Sequence, residues 1–236
     1  MTTLLAIDTA ADICSVALSS GNTINQRQSA AVRKHAAEVL PMIQSLLDES
    51  DLSLSQIDAI VMVSGPGSFT GLRIGSAVAQ GLSFGADIPI IRISSLMMQA
   101  RAAFGACGQR EGTESVFYTC MHAREDEFYF ACYQDDGVSQ PRALIEDQIS
   151  DTKSILNLLR DQHDQSCPHY RSGNGWLQRT LQDAGEGDQA LALVSGAANA
   201  ATLCALGEYA LAAGLTDRAD DAVPVYLKED MAYRKS

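Results

Sequence analysis

The sequence is short of positive charge. It sets 17 Lys and Arg against 29 Asp and Glu, a formal net charge of -12 over 236 residues. A chain so acidic repels a phosphate backbone, so binding of tRNA or DNA by this chain alone is not expected. The local gatherings of positive charge, Arg27, Arg33 and Lys34 or Lys228, Arg234 and Lys235, are small, and no five or six like charges follow one another. A long apolar run is also missing: residues 191–207 carry no charge, but Ser195, Gly196 and Asn199 interrupt them, which excludes a bilayer span there. The start, "MTTLLAIDTAADICSVALSS", lacks a basic region, and Asp8 and Asp12 break its apolar stretch, so no signal peptide is expected. Six cysteines, at 14, 107, 120, 132, 167 and 204, form no Cys-x-x-Cys pair. That argues against a zinc clip or redox dithiol and predicts reduced, mostly buried thiols in a cytoplasmic protein. The four histidines, His35, His122, His163 and His169, are scattered; only the last two could share a local site, and they read as surface residues.

What is present is a hydrophobic content of 46%, enough to fill a core, arranged as alternating strand and helix patterns. Leu4 to Asp8 and Cys14 to Leu18 predict a hairpin with Asp8 and Thr9 at its tip. From Arg33 to Glu49 apolar residues recur at helical spacing around Pro41, and "IDAIVMV" from Ile57 predicts a strand covered on both faces. A helix from about Gly71 to Gly85, the strand "IPIIRI" and a helix capped by Ser94 or Ser95 complete a first half. After a glycine-rich, polar seam near residues 104–113, Val116 to Met121 and Phe128 to Tyr133 predict a second hairpin across the charged "HARED" turn. Helical patterns follow at "TKSILNLLRD" and at residues 198–213, so each half opens on strands joined by a tight turn and continues into helices.

The densest motif is "VSGPGSFTGLRIG", Val63 to Gly75. Strand, glycine-rich turn and helix is an arrangement that aims free backbone N–H groups at an anion. The motif is not a P-loop, because Gly71 is followed by Leu72 and Arg73 rather than Lys and Ser or Thr. It misses the dinucleotide spacing, since the glycine after Gly65 and Gly67 is Gly71, and Met62 two residues before Ser64 rules out a nucleophile elbow. A type II turn with Pro66 and Gly67 at its centre, followed by a Ser68 or Thr70 helix cap, explains much of it; an anion site remains a second explanation.

Five stretches taken together, "LLAIDTAADICSVAL", "SGPGSFTGLRIG", "AREDEFYFACY", "SGNGW" and "VYLKED", in this order over nearly the whole chain, resemble the TsaB (YeaZ) family. The resemblance implies an α/β fold, the two-lobed actin-like ATPase (ASKHA, ribonuclease H-like) arrangement of mixed sheets flanked by helices. It implies a first lobe over residues 1–104 and a second over 105–236, with the carboxy-terminal tail packing back on the first. It further implies a non-catalytic subunit that binds and activates a TsaD-like transferase in making threonylcarbamoyladenosine, the modified adenosine 3′ of the anticodon. A TsaE-like ATPase would be a further partner, the chain would self-associate as a homodimer, tRNA would be met only through the complex, and ATP or ADP is the candidate ligand at a subunit interface.

TsaD-like proteins carry paired histidine metal ligands after the strand that follows the glycine helix. Here those positions hold Ser94, Ser95 and Gln99, so no metal site is expected. By the resemblance, Asp8, Thr9, Ser64, Gly65, Gly67 and Ser68 are the candidate contacts to a nucleotide phosphate. The candidate partner face is formed by Val39, Ile43 and Leu46 of one helix and by Gly71, Gly75 and Ala79 of the other, whose missing side chains permit close packing. The alternative for both stripes is that they face this chain's own sheet. An independent ATPase or phosphotransferase using Asp8, Thr9 and the glycine loop is the rival function, and a metallopeptidase the least favoured.

Overall fold

The structure is a computed structural model and describes residues 2–30, 34–161, 166–184 and 191–227. The gatherings of positive charge that include Arg33, Lys228, Arg234 and Lys235, together with His163, lie partly or wholly outside those residues.

Two five-stranded sheets follow one plan. In the first, β1 (Thr3–Asp8), β2 (Cys14–Ser20) and β3 (Thr23–Ser29) form an antiparallel meander. Strands β4 (Ala59–Gly65) and β5 (Ile90–Ser94) then add in parallel on the other side of β1, giving the order β3-β2-β1-β4-β5. The second sheet repeats this with β6 (Ser115–Arg124), β7 (Glu127–Asp135), β8 (Arg142–Asp151), β9 (His169–Ser172) and β10 (Ala192–Val194), in the order β10-β9-β6-β7-β8. In both halves the hairpin strand that opens the lobe is the one paired to its antiparallel partner and to the first parallel strand. The two halves anticipated from the sequence therefore share one topology.

Every residue of β1 and β4 is buried, as expected of strands covered on both faces. One face is covered by α1 (His35–Glu49) and α2 (Phe69–Ala86), side by side. Val39, Ile43, Leu46 and Leu47 of α1, at i, i+4, i+7 and i+8, pack with Leu5, Ile7, Val16, Ile60 and Met62. Each such burial is worth about 2 kcal/mol. The opposite face carries α6 (Ala200–Ala212), whose Leu203, Leu206 and Ala210 pack with Leu4, Ala6 and Val61. The first sheet is thus roofed by a helix drawn from the far end of the chain, so a single cut near residue 104 does not separate the lobes. The segment after α6 also returns to the first lobe: Val225 N–H donates to the Ser64 carbonyl, Ser76 Oγ to the Ala222 carbonyl, and Arg92 pairs with Asp217 at 2.7 Å.

Between the lobes lies α3 (Ser95–Ala106), capped by Ser94, whose Oγ accepts from the Leu96 and Met97 N–H groups. Its Leu96, Ala100, Ala103 and Phe104 pack with Phe117, Ala131 and Tyr133 of the second sheet. Its Arg101 makes a bidentate pair with buried Asp135, both contacts at 2.9 Å, and also donates to the carbonyls of Gly137 and Ser139. The far side of the second sheet buries Tyr118, Cys120, Phe128 and Phe130 under Trp176 and α4 (Thr152–Asp161).

Candidate functional site

The glycine motif is spent on joining the glycine helix to the first hairpin. Gly67 does not have the positive φ that the second central position requires, so Pro66 and Gly67 do not form the anticipated type II turn. The Ser68 N–H donates to the Ala10 carbonyl at 2.9 Å, and Ser68 Oγ accepts from the Gly71 N–H at 3.3 Å, the anticipated cap. Thr9 Oγ1 donates to the Gly71 carbonyl at 2.7 Å. A side chain at Gly71 would meet backbone, with the Thr9 carbonyl carbon 3.0 Å and Ala10 Cα 3.3 Å from a built Cβ; at Gly75 it would meet Thr9 Oγ1 at 2.6 Å. The Ser68 and Gly71 N–H groups that an anion would use already have partners within the chain.

The stripes proposed as a partner face are corrected by this packing. Val39, Ile43, Leu46 and Ala79 are buried in this chain's own core, and Gly71 and Gly75 are pressed against the hairpin tip. They are unavailable to a second chain. A leucine at Gly75 would disturb the hairpin and say nothing about an interface. Pointing outward from the same helices are Leu40, 49% exposed, Phe84, 82% exposed, and a second small-residue stripe, Ala77, Gly81 and Gly85. A Cβ built on Gly81 or Gly85 meets nothing within 4 Å.

A cleft of about 360 Å³ opens between the lobes. Of the six candidate phosphate contacts only Asp8 lines it; Thr9, Ser64, Gly65, Gly67 and Ser68 do not. Thr9 is turned to Gly71, and Ser64 Oγ donates to the Ile93 carbonyl. The remaining walls are Ala10, Ala11, Asp12, Ile13 and Ser15 of the hairpin, Gln28 of β3, Pro66 of the glycine loop, Ser95, Met98 and Gln99 of α3, Met121, Asn174 and residues 196–199. Two signals in the sequence pointed at some of these: Ser95 and Gln99 stand where TsaD-like metal ligands would, and Asn174 sits in "SGNGW". The loop at Gly196 had none. It lies so close to α3 that a Cβ there would be 2.7 Å from the Ala103 nitrogen.

Asp8 is 2% exposed, and its Oδ1 accepts the Ala10 N–H at 2.9 Å. Burial pushes its carboxyl up to about 6, against the opposing pull of that N–H and of the charge on His35. A carboxyl whose folded pKa lies above its unfolded value binds more protons folded than unfolded between pH 4 and 6. Its contribution to stability is therefore full below about pH 4 and is lost as pH rises through 6. Asp8→Asn keeps an oxygen for the Ala10 N–H and removes the charge. It is expected to raise stability at pH 7.5 by about 2–3 kcal/mol and to give no gain at pH 4, read as the difference in thermal midpoints at the two pH values.

The other candidate chemistry disperses. Among the described residues no three His, Cys, Asp or Glu side chains converge as a metal site. All six cysteines are free thiols, and burial pushes the Cys14 thiol up to about 11, away from nucleophilic use. His35, His122 and His169 are half-buried rather than on the surface: Nε2 of His35 meets the Asp12 carbonyl, Nε2 of His122 the Glu125 carbonyl, and Nδ1 of His169 the Tyr118 hydroxyl at 3.2 Å. Glu125 and Asp126 form an exposed hairpin tip.

Two sheets of identical strand order, with a cleft between the lobes lined by the first hairpin tip, define a two-lobed α/β protein. The family model described as TsaD, tRNA N6-adenosine threonylcarbamoyltransferase, matches residues 21–232. The tRNA threonylcarbamoyladenosine biosynthesis protein TsaB of Haemophilus influenzae is 35% identical, over 99% of this chain and 96% of the relative. That of Escherichia coli K12 is 34% identical, over 98% and 97%. The solved structure of YeaZ from Pseudomonas aeruginosa superposes with a TM-score of 0.81 at 32% identity, covering 96% of this chain and all of that one. The chain belongs to the TsaB family. No helix among the described residues is long and apolar enough to cross a membrane.

Proposed function

We propose that the chain is a non-catalytic subunit of the machinery that makes threonylcarbamoyladenosine in tRNA, and that it binds and activates a TsaD-type transferase. Family membership supports the pathway, because the relatives are named for that biosynthesis. The subunit role is carried by the outward face of α1 and α2, where Leu40, Phe84 and the Ala77, Gly81 and Gly85 stripe offer apolar area and a line of close approach that this chain does not use. The same face serves self-association as a homodimer in the absence of the transferase. An acidic subunit leaves tRNA to its partners, and a TsaE-type ATPase supplies nucleotide turnover. The rival, an independent ATPase or phosphotransferase, is disfavoured by a glycine loop whose Ser68 and Gly71 N–H groups are already bonded within the chain.

The test is reconstitution with the transferase, the ATPase and tRNA, comparing wild type with Gly81→Leu. The leucine enters open space on a helix, where it gains up to about 1 kcal/mol of helix propensity, so the variant stays folded. It is expected to lose co-elution with the transferase and to support little modification. Full modification by the other components without this chain would overturn the proposal, and so would wild-type association by Gly81→Leu for the face assigned to it.

A further inference from the structure

The interlobe cleft is the place where a protein of this class would hold a nucleotide, and its residues do not suit a polyphosphate. Two carboxylates, Asp8 and Asp12, line it, and among the described residues no Lys, Arg or His does. The helix N-termini around it have part of their leading N–H groups capped from within. Ser68 Oγ accepts from Gly71, Ser94 Oγ from Leu96 and Met97, and Asn199 Oδ1 from Ala201 and Thr202, while Ser15 Oγ accepts from Ala200. Polyphosphate recognition needs such N–H groups or cations, and here the field has the wrong sign.

What the cleft does offer is a buried carboxylate with an open acceptor. Asp8 gives Oδ1 to the Ala10 N–H, and among the described residues no hydrogen bond reaches Oδ2. Among the described residues no cationic side chain lines the cleft opposite it, and the charge that acts on it is that of His35, outside the cleft lining. Burying a carboxylate without a counter-charge is costly, and a ligand that brings one relieves that cost. Around it is apolar surface: Ile13, 45% exposed, lines the cleft together with the thioether side chains of Met98 and Met121, which also pack into the cores of the two lobes. Flexible, polarizable methionines suit an aliphatic chain of variable shape. Gln99 adds neutral hydrogen-bonding capacity beside them.

We propose that this cleft binds a small organic cation, an alkylammonium or guanidinium, with its charge on the Asp8 carboxylate and its aliphatic part against Ile13, Met98 and Met121. The site is independent of the α1–α2 face, so it stands or falls separately from the subunit role.

The test is isothermal titration of the isolated chain at physiological ionic strength with agmatine, which carries both cationic groups, with n-butylammonium, and with magnesium ATP. Single-site binding of the two cations and none of ATP is expected. Asp8→Asn should weaken cation binding by about tenfold or more, the loss expected of a charge-assisted hydrogen bond. Gln99→Trp fills the cleft from a half-buried position without touching the carboxylate and should weaken binding as much, which keeps the test valid if Asp8→Asn alters the fold. Asp220→Asn, an exposed carboxylate outside the cleft, should leave affinity unchanged and so controls for general attraction to an acidic protein. The proposal is overturned if neither cation binds at tens of millimolar, if ATP binds more tightly than agmatine, or if Asp8→Asn and Asp220→Asn weaken binding equally.

Discussion

Gly71→Ala destabilises the folded chain by about 2–4 kcal/mol, whereas Gly81→Ala in the same helix stabilises it by about 0.5–1 kcal/mol. The substitution is identical and both sites are helical, so the intrinsic gain from replacing glycine is the same. At Gly71 the new methyl collides with the Thr9 carbonyl and crowds Ala10 Cα, backbone atoms that have no rotamer to escape into. Relief requires α2 to lift from the hairpin, breaking the Thr9 to Gly71 and Ser68 to Ala10 hydrogen bonds. At Gly81 the methyl meets nothing within 4 Å. Chemical denaturation of the two variants beside wild type reads the difference. Equal shifts of one sign would show that α2 is not seated on the hairpin through Gly71.

The second large effect is at the seam. Arg101→Ala costs about 3–5 kcal/mol, because it leaves the Asp135 carboxylate buried without its counter-ion and the Gly137 and Ser139 carbonyls without their donor. For a chain of this size that lowers the thermal midpoint by about 10–15 °C. The double variant Arg101→Met, Asp135→Leu recovers only part of the loss. It removes both charges but still orphans those carbonyls and the Gly137 N–H that Asp135 accepts. Full recovery in the double variant would mean that charge burial alone sets the cost. Loss of less than about 1 kcal/mol in the single variant would place the pair in solvent-like surroundings.

The contrast between Gly71 and Gly81 also explains what was and was not legible beforehand. Where apolar side chains carry a period, the sequence located the elements, α1 and the doubly covered strand around Ile60 to Val63, but the period did not say whether Val39, Ile43 and Leu46 face a partner or, as they do, this chain's own sheet. The repeated pattern of hairpin, strand and helix gave the two related halves. In α2 two small-residue stripes run along the helix at a spacing of four, Gly71, Gly75 and Ala79 inward and Ala77, Gly81 and Gly85 outward. Glycine contributes no hydropathy, so the period alone does not distinguish a buried stripe from an exposed one. Edge strands were hard to read for a related reason: β3, "TINQRQS", is polar and mostly exposed, and its place is set by pairing with β2 rather than by burial.

Of the cleft, Asp8, Ser95, Gln99 and Asn174 lay in stretches that the sequence singled out. Beyond the hairpin tip its walls come from six further parts of the chain, and Met98, Met121 and Asn199 look like ordinary core or capping residues until the lobes meet. By its residues the glycine loop reads as a turn and cap or as an anion site. The hydrogen bonds of that loop point instead to its being a clasp between hairpin and helix. Ser64 and Gly65, candidate phosphate contacts by the resemblance, lie under the returning tail, where Val225 O would sit 2.6 Å from a Cβ at Gly65.

The roof that α6 lays over the first sheet sets an order of events during synthesis. Leu4, Ala6, Ala17 and Val61 are among the early residues to leave the ribosome, yet the partners that cover them, Leu203, Leu206 and Ala210, emerge only after the whole second sheet has been made. Until then one face of a strongly apolar sheet has no helix to shield it, and Gly207 has not yet brought its backbone against Val61. The nascent amino-terminal half is thus a natural client for chaperones that hold exposed apolar strands, and premature termination before residue 200 leaves a sticky fragment rather than a smaller working protein.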